Sequence, residues 1–208
     1  MPRIADSTPC ATPKPASKRA VARRALPWAV ASIVVLAACT TTAPAPEPAP
    51  PAANSTAQEA RANLASASGS LVSGSVTLVP MGDGVHLTGT VGGFAANSQH
   101  GIHVHEKGDC SAADASSAGG HFNPTGGPHG RASREAPHHA GDMDNLAADG
   151  EGVAQVNVHM HGVTLGGGAA NDIAGKALVV HAAPDDYASQ PSGNSGARVA
   201  CAVITVTR

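Results

Sequence analysis

Aromatic side chains are nearly absent from this sequence, since Phe, Tyr and Trp together make up 2% of its 208 residues. Charged residues are also scarce, at 13% of the chain. Proteins that bind single-stranded nucleic acid need aromatic side chains for base stacking and a basic groove for the backbone, so we expect no nucleic acid partner. The core must consist of aliphatic side chains, chiefly those of Ala, Val and Leu.

The sequence also lacks an apolar run that could span a bilayer as a helix, which takes about 20 residues. A shorter run, residues 28–38 (WAVASIVVLAA), follows a basic cluster, as in secretory signal peptides. It ends in LAAC (residues 36–39), which resembles the lipobox of bacterial lipoproteins. We therefore predict a lipoprotein signal peptide over residues 1–38, with lipidation of Cys39. A plain secretory signal before an unmodified cysteine is the alternative.

The segment that follows, residues 39–59, is rich in Pro, Ala and Thr and holds almost no bulky apolar side chains. Such a segment buries too little surface to fold, and Pro-rich chains favour the extended polyproline II conformation. We predict an acylated cysteine and a Pro/Ala-rich stalk, followed by a folded domain over residues 60–208. The expected location is the periplasm or cell envelope, with the lipid on Cys39 as the anchor in a bacterial membrane.

Cysteines are few, and only two of the four fall in the predicted folded domain. Cys10 lies in the predicted leader and Cys39 at the predicted lipidation site, which leaves Cys110 and Cys201. Disulfides persist in exported proteins, so the sequence favours a bond between these two residues. Two free, buried thiols are the alternative.

Hydrophobic periodicity in the folded domain is that of β-strands. Alternating or short β-branched segments are separated by Gly-rich turns, and no window shows a sustained helical apolar stripe. These segments are residues 75–79, 85–91, 102–105, 153–158, 177–180 and 199–206. The pattern predicts an all-β, antiparallel sandwich or barrel. Residues 106–150 and 182–197 lack it, and we expect two long functional loops there.

Histidine is abundant, with 11 residues, and this excess points to metal binding. In HVH (residues 103–105) the two imidazoles project from the same face of a strand and can reach one ion. On its own such a pair is more often an exposed strand face than a metal site. HMH (residues 159–161) has the same spacing but no evident further ligands, and we interpret it as an exposed strand face.

The first pair gains further candidate ligands from the loop that follows it. His121, His129, His139 and Asp142 lie within 22 positions and could complete a tetrahedral zinc site. His181 adds an imidazole at the end of a predicted strand. Together with His103 and His105 the set comprises six histidines and one aspartate, which is too many for one ion and a natural number for two.

Five segments of the chain resemble the successive signatures of copper/zinc superoxide dismutase: GIHVHE (residues 101–106), GHFNP (120–124), HAGD (139–142), LVVH (178–181) and RVAC (198–201). The resemblance covers about residues 60–208. It implies an eight-stranded antiparallel Greek-key sandwich or barrel, one copper and one zinc per chain, and superoxide as the substrate. It also implies that copper alternates between Cu(II) and Cu(I), and that the enzyme protects the cell envelope from superoxide.

The resemblance also assigns residues. It implies copper ligation by His103, His105, His121 and His181, and zinc ligation by His121, His129, His139 and Asp142. By the same resemblance, His121 bridges the ions and acts in catalysis with the substrate-guiding Arg198. Asp185 links His103 to His129, and Cys110 and Cys201 form the family's disulfide. Family members occur as monomers and as dimers, so a homodimer is possible.

Charge is unevenly distributed along the chain. Six of the 13 basic residues and one of the 15 acidic residues precede residue 39, so the rest carries a net charge of about −7. Residues 182–197 contain two acids and no Lys or Arg. We therefore expect weak guidance of an anionic substrate outside the positive metal site and Arg198.

Three other functions compete with a dismutase. They are a strand-borne single-zinc enzyme of the carbonic anhydrase type, a lipoprotein that stores copper and zinc, and a structural domain that has lost its copper. The first leaves Asp142 and His181 without a role, the second needs neither Arg198 nor a bridging histidine, and the third would lack a copper ligand.

Overall fold

The computed structural model describes residues 54–134 and 136–208. The predicted signal peptide, Cys39 and most of the predicted stalk lie outside the described residues. Within these two ranges the only helical element is a short 3-10 helix at Ser116–Ala118. The all-β prediction is confirmed. No helix in the same ranges is long and apolar enough to cross a membrane.

Strands account for the regular structure of the described chain. They are β1 (Ala60–Ser66), β2 (Ser73–Met81), β3 (Gly84–Gly92), β4 (Gln99–His100), β5 (Ile102–His105), β6 (Leu146–Ala147), β7 (Val153–His161), β8 (Ala177–His181), β9 (Arg198–Val203) and β10 (Thr205–Val206).

Eight of these strands form one antiparallel sheet in the order β5-β8-β9-β1-β2-β3-β7, with β10 paired to β1. β1 turns the corner of this sheet: residues 60–64 pair with β2, whereas Ala65 and Ser66 pair with β9. The chain crosses between the two halves from β3 to β5 and from β7 to β8, which is Greek-key connectivity. The sheet is thus a curled half-barrel with β5 and β7 at its edges, and the predicted eight-stranded antiparallel fold is confirmed.

The core lies on the concave side of this curled sheet and is aliphatic, as the composition requires. In β3, Val85, Leu87 and Val91 are buried while Thr88 and Thr90 point away, which is the alternation expected of a sheet with one covered face. They pack in one cluster with Val180 and other residues from the opposite half. β8 is buried along its whole length, because the loop after β5 covers its other face with Ala115 and Ala118.

A disulfide fixes that loop to the sheet. Cys110, in the loop, is bonded to Cys201 in β9, with an S–S distance of 2.03 Å and a separation of 91 positions in the sequence. The predicted pairing is confirmed, and the alternative of two free thiols is wrong.

The segment before β1 also contacts the domain. The backbone N–H groups of Thr56 and Ala57 donate to Leu165 O, and those of Gln58 and Glu59 donate to Arg208 O. Residues 56–59, in the predicted stalk, therefore lie against the fold. The division at residues 38 and 59 itself stays a prediction.

Candidate metal centre

β5 supplies the first two imidazoles of the site. His103 and His105 are both almost fully buried, at 0% and 1% exposure, and they lie on one face of the strand as the i, i+2 spacing predicts. β8 pairs with β5 and ends in His181, where a register irregularity between Val180 and His181 interrupts its ladder with β9.

The outer edge of β5 is covered by the loop that carries the remaining candidates. Phe122 N–H donates to Val104 O, Val104 N–H donates to Gly141 O, and Gly141 N–H donates to Phe122 O. These hydrogen bonds hold residues 121 and 142 beside β5. They explain why ligands distant in the sequence meet at the end of a short strand.

Two clusters of buried side chains result, and His121 belongs to both. In each cluster one potential ligand atom per residue lies within 4.8 Å of all the others. The first comprises His103, His105, His121 and His181, and the second comprises His121, His129, His139 and Asp142. The structure thus brings together every metal ligand predicted from the sequence.

The imidazoles of the first cluster are oriented from behind. Nδ1–H of His105 donates to Gly119 O at 2.9 Å, and Nδ1–H of His181 donates to Gly196 O at 3.3 Å. The Nε2 atoms of these two rings lie 3.4 Å apart. His103 is held through Nε2, so its Nδ1 is left buried without a hydrogen-bond partner in the described chain. Each ring therefore turns one free nitrogen toward a common point.

Asp142 organises the second cluster. Its Oδ1 lies 2.8 Å from His121 Nδ1, 3.0 Å from His129 Nδ1 and 3.4 Å from His139 Nδ1. Its Oδ2 accepts the backbone N–H groups of His139 and Gly130, which fixes the carboxylate. Ligands of a tetrahedral zinc ion with bonds of about 2 Å lie about 3.3 Å apart, so the three oxygen–nitrogen distances are already close to those around zinc.

Protonation in the metal-free protein follows from burial and charge. Burial lowers the pKa of His105 to about 2, that of His181 to about 3 and that of His103 to about 4. These rings are neutral at pH 7 and their nitrogens are available to a metal. Burial would also lower the pKa of His129, but hydrogen bonds to Asp142 and Asp185 raise it to about 9. The two carboxylates thus favour positive charge at the second cluster.

Asp185 connects the two clusters from outside. Its Oδ2 accepts from His103 Nε2 at 2.8 Å, and its Oδ1 accepts from His129 Nε2 at 2.9 Å. Burial would raise the pKa of this carboxyl, but the two imidazoles hold it well below its usual range. Asp185 is therefore a buried carboxylate that orients one ring of each cluster, as the sequence analysis expected.

Arg198 lies at the mouth of the site. It lines an open cavity of ≈ 470 Å³ together with His105, His121 and His181. Its guanidinium donates to Ala115 O at 2.6 Å and to Gly119 O at 2.5 Å. These carbonyls hold a positive charge at the entrance to the first cluster.

Comparisons with known proteins agree with this geometry. The chain matches the family model described as "Copper/zinc superoxide dismutase (SODC)" over residues 72–204. It is 41% identical over 149 residues to "Superoxide dismutase [Cu-Zn] 2" of Aquifex aeolicus (strain VF5), covering 70% of this chain and 86% of that protein. "Superoxide dismutase [Cu-Zn] 1" of the same organism is 41% identical over 134 residues, covering 63% and 79%.

The chain belongs to the copper/zinc superoxide dismutase family. It is an oxidoreductase that converts superoxide to dioxygen and hydrogen peroxide with copper and zinc as cofactors. The solved structure entitled "Crystal Structure Analysis of the clock protein EA4" is also similar, with a TM-score of 0.65 and 33% identity over 74% of this chain and 98% of that one. The single-zinc, storage and copper-free alternatives are therefore wrong.

Three residues of the dismutase site were not identified from the sequence. The Asn145 side chain donates to Asp185 O and accepts from Asp185 N–H, which anchors the backbone of that residue. Gln190 does the same for His129, since it accepts His129 N–H at 2.8 Å and donates to His129 O at 2.9 Å. Gly193 lies so close that a Cβ atom would overlap Asp185 Oδ1. A single amide or glycine carries no spacing signal, so only the fold reveals these roles.

The dismutase also contains a third group of possible metal ligands. His159 and His161 do lie on an accessible strand face, but Asp83 from the turn between β2 and β3 contacts both. The interpretation that this pair has no further ligands around it is wrong, because the turn that brings Asp83 alongside lies 76 residues earlier in the chain.

Proposed function

We propose that the first cluster holds the copper of this dismutase and that the second holds the zinc. Four neutral nitrogen donors suit Cu(II), whereas three nitrogens and a carboxylate oxygen in a tetrahedron suit zinc. His121 belongs to both sets and would serve both ions, with its unpartnered Nε2 available to the first cluster and its Nδ1 lying beside Asp142 of the second. One observation carries the proposal: His103 Nδ1, His121 Nε2 and His139 Nδ1 are buried in the described chain without a hydrogen-bond partner. Each is an imidazole nitrogen whose lone pair a metal ion would engage.

The reaction, 2 O₂⁻ + 2 H⁺ → O₂ + H₂O₂, needs an electron carrier and a source of protons. When bound, copper supplies the one-electron chemistry by alternating between Cu(II) and Cu(I), and zinc supplies a fixed positive charge. The two protons come from water: His121 can take up one at Nε2 and release it to the reduced substrate, and the second reaches that substrate directly from solvent. Nδ1 of His121 stays beside Asp142, so the ring keeps its position whether Nε2 is protonated or not.

Arg198 guides superoxide in this proposal. The substrate is an anion, and the guanidinium is the one cationic side chain that lines the cavity above the first cluster in the described chain. Positive charge inside a cleft raises the local concentration of an anionic substrate even when the whole protein is acidic.

Metal content of purified variants tests the assignment of residues. His139 and His138 are adjacent in the chain, but only His139 belongs to the second cluster, whereas His138 is partly exposed and hydrogen-bonds to Ala136 O. We expect His139→Ala to lose zinc and keep copper, and His138→Ala to keep one equivalent of each. His121→Ala should reduce both metals. Equal zinc content in the His139 and His138 variants would contradict the proposed zinc site.

Stopped-flow decay of superoxide tests the role of Arg198. Arg198→Ala should lower the second-order rate by about tenfold at low ionic strength and flatten its dependence on salt. Arg134→Ala removes a positive charge from the loop that carries the zinc ligands but from outside the cavity, and it should leave both quantities nearly unchanged. An unchanged rate in the Arg198 variant at low salt would contradict substrate guidance.

For location, we propose that the enzyme is exported and lipid-anchored through Cys39, where it protects the cell envelope from superoxide. The basic leader, the apolar run and the LAAC segment support this proposal. Radioactive palmitate should label the wild-type protein in the membrane fraction, and Cys39→Ser should remain unlabelled. Absence of label from the wild-type protein would rule out the anchor.

A further inference from the structure

A third group of side chains with metal-ligand chemistry lies at the surface, outside the proposed copper and zinc ligand sets. His159 and His161 are the last alternating residues of β7, and Asp83 occupies the turn between β2 and β3. The ladder between β3 and β7 pairs Gly84 with His161, so the turn comes to lie directly beside the two histidines.

The contacts within this group engage both oxygens of the carboxylate. Asp83 Oδ1 accepts from His159 Nε2 at 3.1 Å, and Oδ2 accepts from His161 Nδ1 at 2.9 Å. The three potential ligand atoms lie within 4.8 Å of one another. Ligands of a tetrahedral zinc ion are about 3.3 Å apart, so the two oxygen–nitrogen distances already match, and the three atoms need to approach one another by about 1.5 Å at most to surround one ion.

The backbone holds these three residues in place without a metal. β3 and β7 pair along nine residues each, which fixes His159 and His161 on one face. Asp83 is held by the two-residue turn, in which Gly82 has a φ of 58°, and by Gly162 N–H, which donates to Asp83 O at 2.9 Å. Because little ordering remains, binding would cost little conformational entropy.

Access and donor chemistry define the ligand. The side chains of Asp83 and His161 are 72% and 68% exposed, so solvent reaches the group and water can complete the coordination. Two imidazoles and one carboxylate suit borderline ions such as Zn²⁺, whereas Mg²⁺ and Ca²⁺ prefer a shell of oxygens. Two other imidazoles lie nearby but outside the group: the ring centroid of His86 is 6.1 Å from that of His159, and His138 lines a surface cavity together with His159 and His161.

We propose that Asp83, His159 and His161 form a third metal site that binds one Zn²⁺ ion, or a divalent transition metal of similar preference, at the protein surface. The site does not depend on the assignment of copper and zinc to the two buried clusters. It makes the holoenzyme a carrier of one further, exchangeable ion.

Calorimetric titration of the fully loaded holoenzyme with Zn²⁺ tests this site. Saturation of the two buried clusters beforehand ensures that an additional equivalent binds elsewhere. The wild-type enzyme should bind one additional Zn²⁺ per chain. Asp83→Asn should weaken this binding by at least about tenfold, and a His159→Gln, His161→Gln double variant should abolish it.

His86→Gln is the matched control, because it removes an imidazole from the neighbouring strand without touching the three ligands. It should retain the additional equivalent. Superoxide dismutation should be the same in all these variants, which separates the third site from the buried centre. The proposal is wrong if the wild-type holoenzyme takes up no additional Zn²⁺, or if the double variant still binds it.

Discussion

Replacement of Asp185 by Asn should weaken the binding of copper more than the binding of zinc, although Asp185 contacts one imidazole from each cluster. The reason lies in where hydrogen bonds converge on the carboxylate. Oδ1 accepts from Tyr187 N–H at 2.6 Å and from His129 Nε2 at 2.9 Å, while Oδ2 accepts only from His103. Asparagine keeps one acceptor oxygen, and the position with two donors will take it.

The amide NH₂ of the variant would then face His103 Nε2–H, which places two donors against each other in a fully buried pair. His103 relieves this conflict by moving its proton to Nδ1, the nitrogen that faces the other imidazoles of the first cluster. A protonated Nδ1 cannot bind a metal. Loss of such an orienting partner typically lowers the affinity for a metal about 10–100-fold, equivalent to about 1.4–2.7 kcal/mol. In this variant we expect the lower affinity to be that for copper.

Chelator competition gives separate dissociation constants for the two ions and measures this difference. We expect a 10–100-fold loss for copper and a smaller loss for zinc in Asp185→Asn. Asp186→Asn is the control, since Asp186 is exposed and its carboxylate accepts hydrogen bonds only from Ala188 and Ser189. A zinc loss equal to or larger than the copper loss would refute the argument from the two donors on Oδ1.

Three further predictions follow from the same structure. Gly193→Ala would place a Cβ against Asp185 Oδ1 and 2.6 Å from His129 Nε2, at a φ of 65°, so its zinc affinity and Tm should both fall. Replacement of Cys110 and Cys201 by Ser removes a disulfide that joins residues 91 positions apart, and urea unfolding should show a free energy of unfolding lower by about 4–5 kcal/mol. In the metal-free protein, burial holds three imidazole pKa values below the usual 6.5, those of His103, His105 and His181. Unfolding lets these rings take up protons, so the free energy of unfolding should fall as the pH drops below about 6.5, by up to about 1.4 kcal/mol per pH unit for each ring. Urea titrations at pH 7 and pH 5 will test this.

Periodicity alone was enough to place most of the sheet, because one face of each half is buried. It failed for β1 (ARANLAS), in which the buried positions are Ala60, Ala62 and Leu64. Two of these three side chains are Ala, which gives almost no hydrophobic contrast with the polar positions between them. Yet β1 is the strand that joins the two halves, so the weakest signal came from a central element of the sheet.

The residues of the metal site likewise fall into those that the sequence indicated and those that it did not. HVH on a strand already indicated two ligands, and the loop histidines followed from their number and from the family resemblance. The contributions of Asn145 and Gln190 could not follow from either, because each acts on the backbone of a residue about 40–60 positions away. Asp83 was missed for the same reason. A local pattern shows which residues share a face, but it does not show what the fold places opposite that face.

Gly119 connects the entrance of the site to its metal ligands. Its carbonyl oxygen accepts from His105 Nδ1–H and also from Arg198, so one backbone group orients a predicted copper ligand and the substrate-guiding charge. Gly119 belongs to the loop that the disulfide holds against β9, and β9 begins with Arg198. The disulfide therefore holds the loop that contains Gly119 close to Arg198 at the cavity mouth. Loss of the disulfide should displace the Arg198 guanidinium and weaken the hydrogen bond that orients His105. The rate of superoxide decay should therefore be lower even in enzyme that remains folded.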